Sequence, residues 1–257
     1  MIVIKLGGSV ITDKSSYREF RKELVGRLCR EIKASGKDVV VVHGAGSFGH
    51  IIAKEGHLND GFKDPSQIPA LAQTCYDTRD LSSMVVKELM DAGIPAVSVP
   101  TGSCFWMEDR VLRIQDDYVL RSMREKGIMP VLFGDVVQDR KLGFAICSGD
   151  QIVERLADLF DAERVIFVSD VDGLYDSDPK SNPSANLLDI VNRDSLERVS
   201  TESSVSDVTG GVRSKIETML RMCSGKRDCI LMNGTKEGRL LSLLKGETVP
   251  CTRAVGE

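Results

Sequence analysis

Two apolar runs, each ending directly in a glycine-bearing turn, constrain what this chain can fold into more than any other feature. The first is Ile2-Val3-Ile4-Lys5-Leu6-Gly7-Gly8-Ser9, and the second is Val39-Val40-Val41-Val42-His43-Gly44-Ala45-Gly46-Ser47-Phe48-Gly49-His50. Strands this continuously apolar are buried on both faces, which calls for a mostly parallel sheet between layers of helices. In such a sheet ligands bind in the crevice outside the carboxyl ends of the strands. Glycine in that crevice lets backbone N–H groups approach an anion. Two such turns predict two phosphate-bearing ligands. Lys5 in the first turn and His50 at the close of the second supply cationic donors, so phosphoryl transfer between the ligands is the reaction they suggest.

The remainder of the chain keeps the same rhythm. Strand-like runs at 1–6, 38–43, 95–99, 129–133, 165–169 and 229–232 alternate with amphipathic stretches near 17–35, 66–92, 149–160, 213–224 and 235–245. This is a βαβ pattern, and it predicts an α/β fold with a mostly parallel central sheet. Shorter alternating pieces at 110–114, 136–138 and 142–146 read as antiparallel edge ribbons. No linker or repeat divides the 257 residues cleanly, so one domain is expected. The stretch 176–186, rich in Ser, Asp, Asn and Pro, reads as a surface loop able to serve as a lid.

Composition excludes several classes of function. A net charge of -4 provides no broad basic surface, so nucleic acid is not the expected partner and any cationic site must be local. Seven cysteines without CxxC spacing read as reduced thiols. His43, His50 and His57 recur every seven residues, but nothing else in the sequence suggests a protein-held metal. The chain runs from Met1 straight into a strand, and no apolar run approaches the roughly 20 residues that span a bilayer. A cytoplasmic protein with no membrane partner is expected.

Gly44-Ala45-Gly46-Ser47-Phe48-Gly49 formally matches the dinucleotide fingerprint GxGxxG. That fingerprint also needs an acidic residue about 20 positions on, at the tip of the next strand. Asp60 and Asp64 stand instead in a polar stretch with Gly61 and Pro65, so the turn reads better as a phosphate cradle opening a helix. Lys5 with Gly7, Gly8 and Ser9 suits the oxygens of a triphosphate, although a lysine on a short edge strand followed by a turn accounts equally well for that pentapeptide. Lys14 is near enough in sequence for a returning loop to bring it over the crevice. Asp170 and Asp172, in Ser169-Asp170-Val171-Asp172-Gly173-Leu174-Tyr175, reach the same crevice after another apolar strand. Thr209-Gly210-Gly211-Val212-Arg213-Ser214-Lys215 reads as a glycine turn leading into a helix, with Lys215 in its first turn. A cation there opposes the helix dipole unless an anion lies between them. In Cys147-Ser148-Gly149-Asp150, either Ser148 or Asp150 can be a helix cap.

In order and spacing, these motifs together resemble the amino acid kinase family over essentially the whole chain. The resemblance implies a three-layer α/β/α sandwich, with an acceptor-binding part at about 1–148 and a nucleotide-binding part at about 149–257. Within the family, residues 8–14 and 43–50 look most like the isopentenyl phosphate kinase branch, where a histidine after Ser-Phe-Gly, here His50, binds the acceptor phosphate. The function implied is ATP-dependent phosphorylation of isopentenyl phosphate with Mg2+, in isoprenoid synthesis by a mevalonate route, performed by a homodimer. Lys5, Gly7, Gly8, Ser9, Gly46 and Lys215 would surround the donor phosphates, and Asp170, Gly173, Tyr175 and Gly210 would lie on the nucleotide side. Lys14 would stabilise the transition state, while Asp150 would hold Lys5 in place. Ala45, Gly46, Gly49, Gly149 and His50 would receive the acceptor phosphate. Its tail would run along the helix at 66–90 and the ribbon at 142–146, with Tyr76, Met84, Phe144 and Ile146 as candidates for the pocket. Two alternatives remain open: a kinase of the same fold acting on another phosphate, phosphonate or carboxylate, and a non-catalytic nucleotide-binding protein.

Overall fold

Strand β1 (Ile2–Leu6) lies inside an eight-stranded sheet, and its side chains divide between two cores. Successive strand residues point to opposite faces. Ile2, Ile4 and Leu6 therefore enter one core, while Val3 enters the other and Lys5 shares its face. The computed structural model describes residues 1–13, 15–177, 182, 184–196, 208–223 and 227–256, apart from the side chains of 208–213.

In spatial order the sheet runs β10 (Ile190–Val191), β12 (Cys251–Ala254), β11 (Asp228–Asn233), β9 (Arg164–Ser169), β1, β2 (Val39–His43), β6 (Met129–Phe133) and β3 (Ala96–Ser98). Only the pairing of β11 with β12 is antiparallel. β1 has β2 on one side and β9 on the other, so the order reverses beside β1, where open α/β sheets bind ligands.

Helices α2 (Lys22–Ser35), α4 (Ile68–Asp91) and α8 (Arg239–Lys245) cover the face of Ile4, to which they contribute Leu28, Val85 and Leu244. On the opposite face α6 (Gly149–Leu159) and α7 (Val208–Met222) bury Ile152, Leu156, Ile216 and Met219 against Val3 and Val165. Leu120 of α5 (Tyr118–Glu125) joins that core. This is a three-layer α/β/α sandwich. A buried glutamate also links two helices, because Glu31 on α2 accepts the amides of Gly238 and Leu241 at the start of α8, each at 3.0 Å. A carboxylate there complements the positive end of the helix dipole.

The ribbons expected at the edge form a separate four-stranded sheet, β5 (Val111–Ile114), β4 (Phe105–Glu108), β7 (Asp135–Asp139) and β8 (Gly143–Cys147). β4 was not anticipated, and its Phe105 and Met107 are buried in the same core as Val3. Three predicted helix starts also move. The helix expected from 17 begins at Lys22, because the chain doubles back first: Thr12 bridges Phe20, and Arg18 takes a φ of 58°. The helix expected from 235 begins at Arg239, after Gly238 at φ 73°. The one expected after Gly210 and Gly211 instead runs through both glycines from Val208, so Lys215 lies two turns in rather than in the first turn. A mid-helix glycine weakens a helix by about 1 kcal/mol without stopping it. Among the described residues no helix is long and apolar enough to cross a membrane, and the seven cysteines are free thiols.

Candidate active site

The two glycine turns meet backbone to backbone. A Cβ added to Gly8, which opens α1 (Gly8–Ile11), would stand 2.7 Å from the Gly46 nitrogen, and one on Gly44 would stand 2.8 Å from the Gly8 nitrogen. No other residue fits at these positions. Thr12 fastens the turns together: its hydroxyl donates to the Gly8 carbonyl at 2.8 Å and accepts the Ser47 amide at 3.0 Å. Gly46, at the start of α3 (Gly46–Glu55), takes φ 51°, whereas Ala45 sits at φ −75°. The left-handed conformation falls on the glycine, so alanine at position 45 carries no strain. The first amides of α1, α3 and α6 have no partners within their own helices, and Gly8, Gly46 and Gly149 at those helix starts line the cavities over this junction.

Two ammonium groups and a carboxylate lie beneath the turns. Lys5 Nζ is 2.6 Å from Asp150 Oδ1, and Lys215 Nζ reaches both oxygens of Asp150 at 3.2 and 3.3 Å. Both lysines stand over the Phe167 ring, at 5.9 and 3.8 Å from its centroid. Alternation on β1 and β9, with Lys5 paired to Phe167, places these groups on the α6 face. Ser148 is the helix cap; its hydroxyl and the Gln151 side chain form a reciprocal capping box, leaving the Asp150 carboxylate to the lysines. Burial works to raise the Asp150 pKa, but the ammonium groups of Lys5 and Lys215 outweigh it and hold the carboxyl below its ordinary value. Burial, together with repulsion from Lys5, brings Lys215 down to about 8 despite its carboxylate partner. Two cations sharing one carboxylate leave a net positive site ready for an anion.

Two cavities open on this cluster, and Lys5, Gly8 and His50 line both. One, of about 270 Å3, is lined further by Ala45, Gly49, Gly149, Ala53, Thr74, Thr78, Asp135 and Ile146. The other, of about 220 Å3, runs past Gly7, Ser9 and Gly46 to Ser169 and Lys215. A larger cavity of about 430 Å3 lies among Ile32, Asp38, Ile94 and Arg124, near the opposite ends of the strands. It is also lined by Lys33 and Lys37, and its Arg124 is paired with Asp38 at 2.8 Å, but neither glycine turn reaches it.

The structure thus brings Lys5, Gly7, Gly8, Ser9, Ala45, Gly46, Gly49, His50, Gly149, Asp150, Ile146 and Lys215 around one cleft. Asp170 stands at its rim, accepting the Ser9 hydroxyl at 2.7 Å. Gly173 lies further off, packed so tightly that a Cβ would stand 2.9 Å from the Thr252 nitrogen, while Tyr175 bridges Leu187. Asp172 is engaged by Asn233 at 2.9 Å and by Arg239. Gly210 falls in the first turn of α7. Lys14 lies outside the described residues, as does part of the 176–186 loop, whose two ends are joined by Asp176 and Asn186.

Tyr76 corrects the expected tail pocket. It is 61% exposed on the outer side of α4, beside Arg18, and does not line the cavity. Met84 packs against the core of Ile4, and Phe144 is buried in a small cluster with Leu58 and Val136. The α4 residues that do line the cavity are Thr74 and Thr78, one turn apart. Sequence reasoning passed over them, and over Gly134 and Asp135. The signal was available for the latter pair, since Gly134-Asp135 follows the apolar strand β6 just as the other site turns follow theirs.

The strand order reverses beside a cationic cleft suited to phosphate-bearing ligands, and the amino acid kinase family profile matches residues 1–233. The chain belongs to the amino acid kinase family. Among its relatives are the isopentenyl phosphate kinase of Methanothermobacter thermautotrophicus, 36% identical and covering 100% of both chains, and that of Thermoplasma acidophilum, 37% identical over 93% of this chain and 94% of the relative. A solved structure described as isopentenyl phosphate kinase superposes with a TM-score of 0.85 at 32% identity, covering 99% of this chain and 100% of the other.

Proposed function

We propose that this chain transfers the terminal phosphoryl group of ATP to isopentenyl phosphate, forming isopentenyl diphosphate and ADP. The observation that carries this reading is the pair of cavities meeting over Lys5, Gly8 and His50, a shape suited to two polyanions laid end to end. In this reading the 220 Å3 cavity takes the donor phosphates, on the amides of Gly8 and Ser9 and the ammonium groups of Lys5 and Lys215. The 270 Å3 cavity takes the acceptor, with its phosphate on the amides of Ala45, Gly46 and Gly149 and the His50 ring. The division into an acceptor-binding part near 1–148 and a nucleotide-binding part near 149–257 is part of the same proposal, as is Lys14 as a transition-state stabiliser.

Phosphoryl transfer needs positioning and charge neutralisation more than covalent chemistry from the protein. The attacking oxygen is already anionic, so no general base is required. The difficulty is repulsion between the two phosphates, which Lys5, Lys215 and His50 offset in a cleft where charges interact more strongly than in water. Asp150 orients both lysines without neutralising them fully. The donor set also fits a nucleotide-borne magnesium ion. Asp150 is committed to two lysines, and among the described residues no cluster of three metal-binding side chains occurs, so the phosphate oxygens themselves would hold Mg2+ and shield their charge. The outer face of α4 exposes Ile68, Tyr76 and Met90, and we assign it to contact with a second copy of the chain.

The test is ADP release with ATP and Mg2+ across isopentenyl, dimethylallyl and geranyl phosphates, fosfomycin, uridylate and acetylglutamate. Isopentenyl phosphate should give the highest kcat/KM. A higher value for uridylate or acetylglutamate would sink the assignment, and no ADP release with any acceptor would point to a binding protein.

A further inference from the structure

The wall of the acceptor cavity carries polar groups that a hydrocarbon tail does not require. Thr74 is 2% exposed and lines the cavity, yet its hydroxyl has no hydrogen-bond partner. One turn on, Thr78 is fully buried, and beside it Asp135 is 3% exposed at the start of β7. Asp135 accepts the Val136 amide at 2.8 Å and the Thr78 hydroxyl at 3.1 Å on Oδ1, and the Cys75 thiol also donates to its carboxylate. The Thr78 hydroxyl has one proton but also stands 2.9 Å from the Thr74 carbonyl, so Oδ1 is at best a shared acceptor. Burial moves the Asp135 carboxyl upward, against the pull of the Val136 amide, the Arg79 charge and the hydrogen bonds from Thr78 and Cys75. The cavity wall therefore carries a buried carboxyl group and, beside it, an unused hydroxyl.

Resting on the kinase reading above, we infer that this cavity accepts short branched alkyl phosphates carrying a hydroxyl group on the tail, bound through Thr74 and Asp135. A hydroxyl there accepts from Thr74, which has no other partner, and donates to a remaining lone pair of the Asp135 carboxylate. An alkenyl tail leaves the Thr74 hydroxyl unmet, and a buried polar group left unmet discriminates strongly between substrates with and without a matching hydroxyl. Ile146 and Ala53 supply the apolar wall for the carbon chain between the phosphate and the hydroxyl.

The experiment measures kcat/KM for isopentenyl phosphate and for 3-hydroxy-3-methylbutyl phosphate with ATP and Mg2+, in the parent enzyme, Thr74→Val and Asp135→Asn. The parent should use the hydroxylated acceptor within about tenfold of isopentenyl phosphate. Thr74→Val, which keeps shape but removes the hydroxyl, should shift the ratio toward the alkenyl acceptor by about tenfold, the worth of one hydrogen bond. Asp135→Asn should shift it the same way, and agreement between the two variants separates recognition from a folding defect. A parent preference for the alkenyl acceptor above a hundredfold, or an unchanged ratio in Thr74→Val, overturns the inference and leaves the kinase assignment standing. No turnover of either acceptor by the parent overturns the assignment and the inference together.

Discussion

Lys215 is charged at a cost to the fold. An unfolded lysine keeps its proton to about 10.4, whereas in the folded chain burial and then Lys5 bring Lys215 down to about 8. Between those values the unfolded state binds more protons, so this residue makes stability rise with pH from about 8 upward and withholds stability below 8. Lys215→Met should therefore melt higher than the parent at pH 7, and by a smaller margin at pH 9.5, while losing nucleotide affinity. In the parent, nucleotide affinity should weaken as pH climbs through about 8, and in Lys215→Met that dependence should flatten; calorimetric titrations from pH 6.5 to 9.5 read both. His50 presents a different case, exposed where the two cavities meet. A charge-assisted hydrogen bond is worth about 1.5–3 kcal/mol, so His50→Ala should lower kcat/KM for isopentenyl phosphate by about ten- to more than a hundredfold. A phosphate-free competitor of the nucleotide should bind His50→Ala as it binds the parent.

The turns after β1 and β2 behave as one element, since each occupies the space that a side chain on the other would need. Gly46→Ala places a Cβ against the Thr12 hydroxyl in a left-handed conformation, which alone costs about 1–2 kcal/mol. Thermal melts should show that loss, and activity should fall further, because Thr12 can no longer hold both turns. Ala45→Gly, at φ −75°, should change stability by less than about 1 kcal/mol. Equal effects from the two substitutions would mean that the turns are not locked together. This element was legible in the sequence because glycine after an apolar strand has a local cause, a backbone that must approach something closely. The tail pocket was less legible because its cause is rotational: α4 turns Thr74 and Thr78 inward and Tyr76 outward, and the aromatic residue is the more conspicuous in a sequence. Likewise, Gly210 and Gly211 read as a turn when neighbours in three dimensions sustain a helix through them. β4 escaped notice because its burial comes from pairing with β5 and β7, strands distant from the main sheet's rhythm.

At the scale of the whole molecule, the ligand crevice is set on a core that excludes charge, and His43 exposes the consequence. It ends β2, fully buried, stacked on Phe133 at 5.3 Å, with Nδ1 against the Gly44 carbonyl and Nε2 without a partner. Burial, opposed only by that carbonyl, depresses its pKa to about 4. The unfolded chain takes up this proton below about 6.5, while the folded chain resists until about 4, so stability is full above 6.5 and drains away as pH falls through that window. At about 1.4 kcal/mol per pH unit the loss reaches about 3 kcal/mol, a large fraction of the 5–15 kcal/mol typical of a folded domain. Asp150 works in a different range, because its lowered pKa makes it lose stability only below the ordinary carboxylate value. Urea unfolding at pH 7.5, 5.5 and 4.5 should therefore show the parent weakening between the first two points, before the carboxylates respond. His43→Phe keeps the ring against Phe133 and removes the proton site, so its stability should hold nearly level from pH 7.5 to 5.5. Parallel curves for the two proteins would place the acid-sensitive proton elsewhere in the molecule.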